Sequence, residues 1–164
     1  MIKILSALII TLLFTSRACA FQFEDVKWGS DFESVYNTLE AGNRHLERGE
    51  YYIKYEAAIF GKNCYVKFFF TPQTKLLAKV LIEWDENNIG VEIRRALVKK
   101  YGSPNKSDDI SKQFIWEEGE SAEDERMVLN YGFTLPVALN YYGGIYWKKF
   151  QEEGGSLLKL LPFL

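Results

Sequence analysis

The sequence predicts an α+β domain: an antiparallel sheet of about six strands with two helices packed on one face, followed by a C-terminal tail. Three observations carry that reading. Two stretches repeat apolar residues every three to four positions and stop at a glycine, as amphipathic helices do. Six stretches alternate apolar and polar residues, the period of strands with one wet face. Their order along the chain is helix-strand-strand-strand, twice. That order fits two helix-strand-strand-strand units or one continuous sheet carrying both helices. In either case helices on one side of the sheet bury both apolar faces at once.

The N-terminal segment comes first. Lys3 supplies a positive charge, Ile4 to Phe14 form an apolar run broken by Ser6 and Thr11, and Ala18-Cys19-Ala20 follows. A basic start, a short apolar stretch and a small-x-small exit describe a signal peptide over 1–20, cut after Ala20. The run is shorter than the roughly 20 residues needed to span a bilayer. The mature chain is expected to begin at Phe21 and to be periplasmic or secreted. Ala18 before Cys19 also fits a lipoprotein signal, but Arg17 and Ser16 suit it badly, so a lipid anchor on Cys19 is the secondary reading.

In Ser30-Asp31-Phe32-Glu33 the spacing of Ser30 and Glu33 matches a capping box. Phe32, Val35, Tyr36 and Leu39 then share one face of a helix over 31–41, and Gly42 closes it. Three strands follow. Their inward sets are Tyr51, Ile53, Tyr55 and Ala57, then Cys64, Val66, Phe68 and Phe70, then Leu76, Ala78, Val80, Ile82 and Trp84; Lys79, Glu83 and Asp85 fall on the wet side. Asn88 is a good N-cap for a second helix reaching Tyr101, with Ile89, Ile93, Leu97 and Tyr101 stacked four apart. Gly102 and Pro104 stop it. Gln113–Glu117, Arg126–Tyr131 and Thr134–Tyr142 are the remaining strands, with Phe114 and Trp116, Met127, Leu129 and Tyr131, and Leu135, Val137, Leu139 and Tyr141 inward. The core should therefore unite Phe32, Val35, Leu39, Val66, Phe68, Val80, Ile82, Ile93, Leu97, Trp116, Leu129 and Leu139.

The single α+β domain is placed at 21–142 and the tail at 143–164. Within the tail, Gly143-Gly144 reads as a hinge, Ile145–Glu153 as a short helix, and Gly154-Gly155 as another break. Ser156 to Leu164 is then almost wholly apolar, which is unusual where termini meet solvent. Tyr146, Trp147, Phe150, Leu157, Leu158, Leu161 and Phe163 are the candidate partner-binding residues, serving self-association or a protein partner.

Apolar residues make up 48% of the chain and aromatics 16%, the composition of a packed globular protein and not of a disordered one. Losing Lys3 and Arg17 with the leader leaves 18 basic against 22 acidic residues, a net charge of −4. No basic cluster follows a phosphate backbone, so nucleic acid is not an expected partner. The mature chain has no second stretch of spanning length and retains one cysteine, Cys64.

Chemistry is sparse. His45 is the one histidine and lies among charged loop residues, which leaves no two-histidine metal motif. Cys64 sits on a strand's inward face and reads as an inert thiol. Glu117, Glu118, Glu120, Glu123, Asp124 and Glu125 lack the spacing of a calcium loop and read as a solvated turn. There is no phosphate loop or nucleophile elbow, and no metal, cofactor or catalytic residue is assigned.

Phe23, Val26 and Trp28-Gly29-Ser30 before the first helix, and Leu97 with Lys100-Tyr101-Gly102-Ser103-Pro104 ahead of Trp116, carry a resemblance. The pair is similar to a broad group of small exported bacterial envelope proteins, largely uncharacterised. There a Trp-Gly-Ser start opens the first helix, and a Tyr-Gly-x-Pro end closes the second before a Trp-bearing strand. The element order more remotely resembles outer-membrane assembly lipoproteins and β-lactamase inhibitor proteins, which carry two helices before the sheet where this chain has one per unit. The resemblance implies protein binding without catalysis and assigns no functional residue.

The resulting expectation is an exported, non-catalytic envelope protein that binds a protein or envelope component. The alternatives are a carboxylate-dependent hydrolase of the envelope and a carrier of an apolar ligand.

Overall fold

The computed structural model describes residues 26–117, 119, 121, 123–132 and 136–155. The leader with Cys19, the end of the tail with Leu157, Leu158, Leu161 and Phe163, and Phe23, Glu118, Glu120 and Leu135 lie outside the described residues. The elements in chain order are α1 (Phe32–Glu40), β1 (Glu47–Arg48), β2 (Tyr52–Ile59), β3 (Lys62–Phe70), β4 (Leu77–Trp84), α2 (Gly90–Tyr101), β5 (Lys106–Asp108), β6 (Gln113–Glu117), β7 (Arg126–Asn130), β8 (Val137–Tyr142) and α3 (Ile145–Glu152), with a 3-10 turn at Asn87–Ile89 leading into α2.

All eight strands form one antiparallel sheet in the order β1-β2-β3-β4-β8-β7-β6-β5. The count exceeds the expected six because β1 and β5 have two and three residues, all exposed, too short and polar to leave an alternation in the sequence. Short, charged edges of this kind limit edge-to-edge pairing. The order reads the same from either edge. Each half is one helix followed by a four-strand meander, and the last strands of the halves pair through Val80↔Tyr141, Ile82↔Leu139 and Trp84↔Val137. The two arrangements left open by the sequence are therefore combined: two units, one sheet.

α1 and α2 lie on the same face of the sheet. Val35 and Leu39 from α1, and Ile93 and Leu97 from α2, join the inward residues of β2, β3, β4, β6, β7 and β8 in one buried cluster, which contains all twelve expected core residues. Trp116 lies in that cluster and donates its indole N–H to the Gly102 carbonyl at 2.9 Å, tying β6 to the end of α2. Gly102 takes φ +84° there, a conformation open to glycine at a helix end. This gives the Tyr-Gly-x-Pro end and the later tryptophan a shared structural role.

Three local expectations are corrected. The α1 cap is Asp31, whose carboxylate accepts from the Ser34 amide at 3.0 Å, because Ser30 is held in backbone bonds to Lys27 and Leu77. Asn88 does not cap α2; it lies inside the 3-10 turn, and α2 has no side-chain N-cap bond. In β4 a register irregularity opposite Phe69 and Phe70 moves Leu77 into the core, and Ala78 packs with the residues of α3 instead. An extra residue on one strand re-aims the side chains beyond it.

α3 lies across the opposite face of the sheet from α1 and α2. Trp147 and Phe150 are buried against Ala78, with Trp147 stacked on Phe150 and edge-on to Tyr142, both at 4.9 Å. The Gly143-Gly144 joint is tight. The Gly143 amide donates to the Ala78 carbonyl at 2.9 Å, and a Cβ on Gly144 would lie 2.0 Å from the Glu123 carbonyl oxygen. These glycines serve close approach. At the far end Glu153 accepts from the Gln73 amide at 2.7 Å, the Thr74 amide at 3.0 Å and the Thr74 hydroxyl at 2.7 Å.

Candidate functional site

The two faces of the sheet differ. One carries α1 and α2; the other carries, among the described residues, only α3 at one end. Residues that alternate with the core set point onto this second face. Register fixes a row across the sheet: Glu47, Lys54, Lys67, Leu81, Asn140, Val128, Ile115 and Lys106. A second row runs Glu56, Tyr65, Glu83, Ala138, Asn130 and Gln113. Tyr65, Leu81, Ile115 and Ala138 are half-buried, and Val128 is buried.

The face is chemically mixed. Lys67 and Glu83 form an ion pair at 3.2 Å with side chains only 21% and 18% exposed, and Lys54 pairs with Glu47 at 3.2 Å. Tyr52 also donates to Glu47 at 2.7 Å; that bond first, then the one from Lys54, holds the Glu47 carboxyl below its ordinary range. Toward one end, an open groove of about 390 Å³ is lined by Glu56, Ala58, Asn63, Tyr65 and Asp85 among others. A smaller one of about 180 Å³ includes His45, Glu47, Lys54 and Tyr65. Tyr65 borders both.

Under α3 the third row runs Tyr52, Phe69, Lys79, Tyr142, Arg126 and Glu117. Lys79, expected on the wet side, is only 3% exposed. Burial first, and the neighbouring Lys67 charge, push its pKa down to about 8, while Glu83 opposes the change.

Of the candidate partner-binding residues, Trp147 and Phe150 are buried inside the domain and Tyr146 is half-buried, its ring set against Gly29. Leu157, Leu158, Leu161 and Phe163 lie outside the described residues. Cys64 is buried, its Sγ 3.5 Å from the Ala57 carbonyl oxygen, and burial pushes the thiol up to about 11, which leaves almost no thiolate. His45 is exposed at the rim of the smaller groove. The acidic stretch is engaged locally: Glu117 pairs with Lys106 at 2.8 Å, Glu123 with Lys148 at 2.5 Å, and Asp124 accepts from the Ser121 amide at 2.7 Å. Among the described residues, no three His, Cys, Asp or Glu side chains converge to hold a metal ion, and no helix is long and apolar enough to cross a membrane.

The residues that define the open face were not singled out by sequence. A signal for them exists: Phe68-Phe69-Phe70, Val80-Leu81-Ile82 and Met127-Val128-Leu129 are continuous apolar runs that break strict alternation. Strands covered on both faces read this way. Compared with known proteins, the chain matches no family model, no curated protein and no solved structure.

Proposed function

We propose that the protein is an exported envelope protein that works without catalysis, by binding a protein partner or envelope component through the open face of its sheet. The observation that carries this reading is the asymmetry of the sheet. The face opposite α1 and α2 carries Tyr65, Leu81, Ile115 and Ala138 half-buried beside the Lys67–Glu83 pair, with α3 over one end alone. Aromatic and aliphatic groups beside a partly dried ion pair are the composition of an interface centre with a polar rim. The mature chain, from Phe21 onward, acts in the periplasm or outside the cell.

The test is capture of partners from envelope extract by the wild-type protein and by Ile115→Glu, a substitution on the open face that leaves the core untouched. Loss of a captured species in the variant, with an unchanged melt, supports the reading. Equal capture by both, or capture of nothing, refutes it. Sequencing the N-terminus of the exported protein checks the start at Phe21.

The apolar end of the tail is a second contact in this reading. Truncation after Gly154 should leave the melt unchanged while removing self-association or partner capture. A lower melting temperature with no change in either would place its role in the domain's own packing.

A further inference from the structure

β2 is eight residues long, but β1 pairs with only two of them, Ile53 and Lys54. Beyond Lys54 the outer edge of β2 meets no strand among the described residues. The ladder fixes where its backbone groups point. The Tyr52 carbonyl accepts from the Gly49 amide on the outer side at 2.9 Å, and the Tyr51 carbonyl accepts from the Phe70 amide on the inner side at 2.9 Å. Backbone direction alternates along a strand, so Lys54, Glu56 and Ala58 aim their N–H and C=O groups outward with Tyr52. β1 covers Lys54. Glu56 and Ala58 have no backbone partner among the described residues, and both are exposed.

This edge lacks the protection of β1 and β5, which are short and polar. Glu56-Ala57-Ala58-Ile59 carries one charge, no proline and no register irregularity against β3. The turn beyond it holds Phe60 at φ +55°, a position that favours asparagine or glycine, and leaves the ring 45% exposed. An uncovered edge of this composition is a template for another strand.

We propose that the β2 edge from Glu56 to Phe60 takes an extended segment of a partner protein in which basic and apolar residues alternate. This rests on the reading that the protein binds a partner, and names the part of the partner that enters at the margin of the open face. The outward backbone groups of Glu56 and Ala58 supply the hydrogen bonds, and the side chains beside them set the sequence. On the open face Lys54 is shared with Glu47 and Lys67 with Glu83, so Glu56 is left without an ion pair among the described residues. Asp85, exposed and likewise unpaired, lines the same groove of about 390 Å³. Basic side chains match that side. On the other face Ala57 and Ile59 are half-buried at the margin of the core, and apolar side chains extend them. A second copy of β2 fits less well: antiparallel pairing of Glu56 with Ala58 of the second copy sets the two Glu56 carboxylates diagonally on one face.

The probe is acetyl-Lys-Val-Lys-Val-Lys-amide, with acetyl-Glu-Val-Glu-Val-Glu-amide as the control of opposite charge. Each is titrated into the isotope-labelled full chain, and NMR reads the shifts and hydrogen exchange of the Glu56 and Ala58 amides. The expected result is slowed exchange at both amides with the lysine peptide, and an affinity at least about tenfold above that of the glutamate peptide. Glu56→Lys should reverse that preference. Ala58→Pro removes one outward N–H at an edge position that tolerates proline, and should weaken binding at least about tenfold. The proposal is overturned if the lysine peptide does not bind at millimolar concentration, if the two peptides bind equally, or if Ala58→Pro, folded by its melt, binds as well as wild type. Sedimentation of the free chain as a dimer with both amides already protected would assign the edge to a second copy and also overturn it. The peptides probe this edge alone, so their failure leaves capture through Ile115, on β6 toward the other end of the sheet, standing.

Discussion

Replacing Lys79 by methionine isolates the cost of burying one charge. In the unfolded chain the amine titrates near its ordinary 10.5, and in the fold at about 8, lowered chiefly by burial. The unfolded chain therefore holds the proton over a range where the fold has released it, and stability rises as pH climbs through that range. Below pH 8 the whole penalty is present; above 10.5 it is gone. At about 1.4 kcal/mol per pH unit the penalty is about 3 kcal/mol. That shift is net of every group around the amine, the aromatic rings included. Lys79→Met should then be more stable than wild type by up to about 3 kcal/mol at neutral pH. The gap should close as the pH is raised through 8 toward 10.5. Urea melts of both proteins across this range measure it, and the tyrosines common to both cancel in the difference. A gap that does not change with pH, or a variant less stable than wild type at neutral pH, would show that the fold does not disfavour the Lys79 charge.

Core packing and the docking of α3 are open to the same kind of perturbation. Phe68 is fully buried in β3, and Phe68→Ala should cost about 3–5 kcal/mol in a denaturant melt; a loss under about 1 kcal/mol would mean the strand is not packed as described. Glu153 holds the end of α3. Burial pushes its carboxyl up, but bonds from the Thr74 hydroxyl and the Thr74 and Gln73 amides outweigh that and leave its pKa below the ordinary 4.5. Its contribution is thus present above pH 4.5 and lost as pH falls through the lower folded value. Glu153→Gln should speed hydrogen exchange in α3 while amides of β3 and β4 keep their protection. Equal exchange in the two proteins would show that Glu153 is not a latch.

The helix faces, the strand faces and the common core were legible because burial imposes a period on the sequence. Phe32, Val35 and Leu39 repeat as a helix must, and Cys64, Val66, Phe68 and Phe70 as a strand must. The pairing of β4 with β8 was not legible, since two inner strands of separate meanders carry no mark of whether they meet. The α1 cap went to Asp31 because tertiary backbone bonds had already claimed Ser30, a contact that local spacing does not encode. Lys79 was misplaced for a related reason. A lysine between apolar residues reads as wet, and only the docking of Trp147 and Phe150 across Ala78 dries it. The same docking removes Trp147 from the surface. Its helix is amphipathic whether it lies on its own sheet or on a partner, and the sequence cannot separate the two.

The proposed partner contact is the face opposite α1 and α2. A photo-crosslinking amino acid placed at Tyr65 or Ile115 on that face, and at Arg95 on the exposed side of α2, tests it in living cells. Adducts from the Tyr65 and Ile115 positions and none from Arg95 are the predicted result. Adducts from Arg95 alone, equally from all three positions, or from none would contradict it.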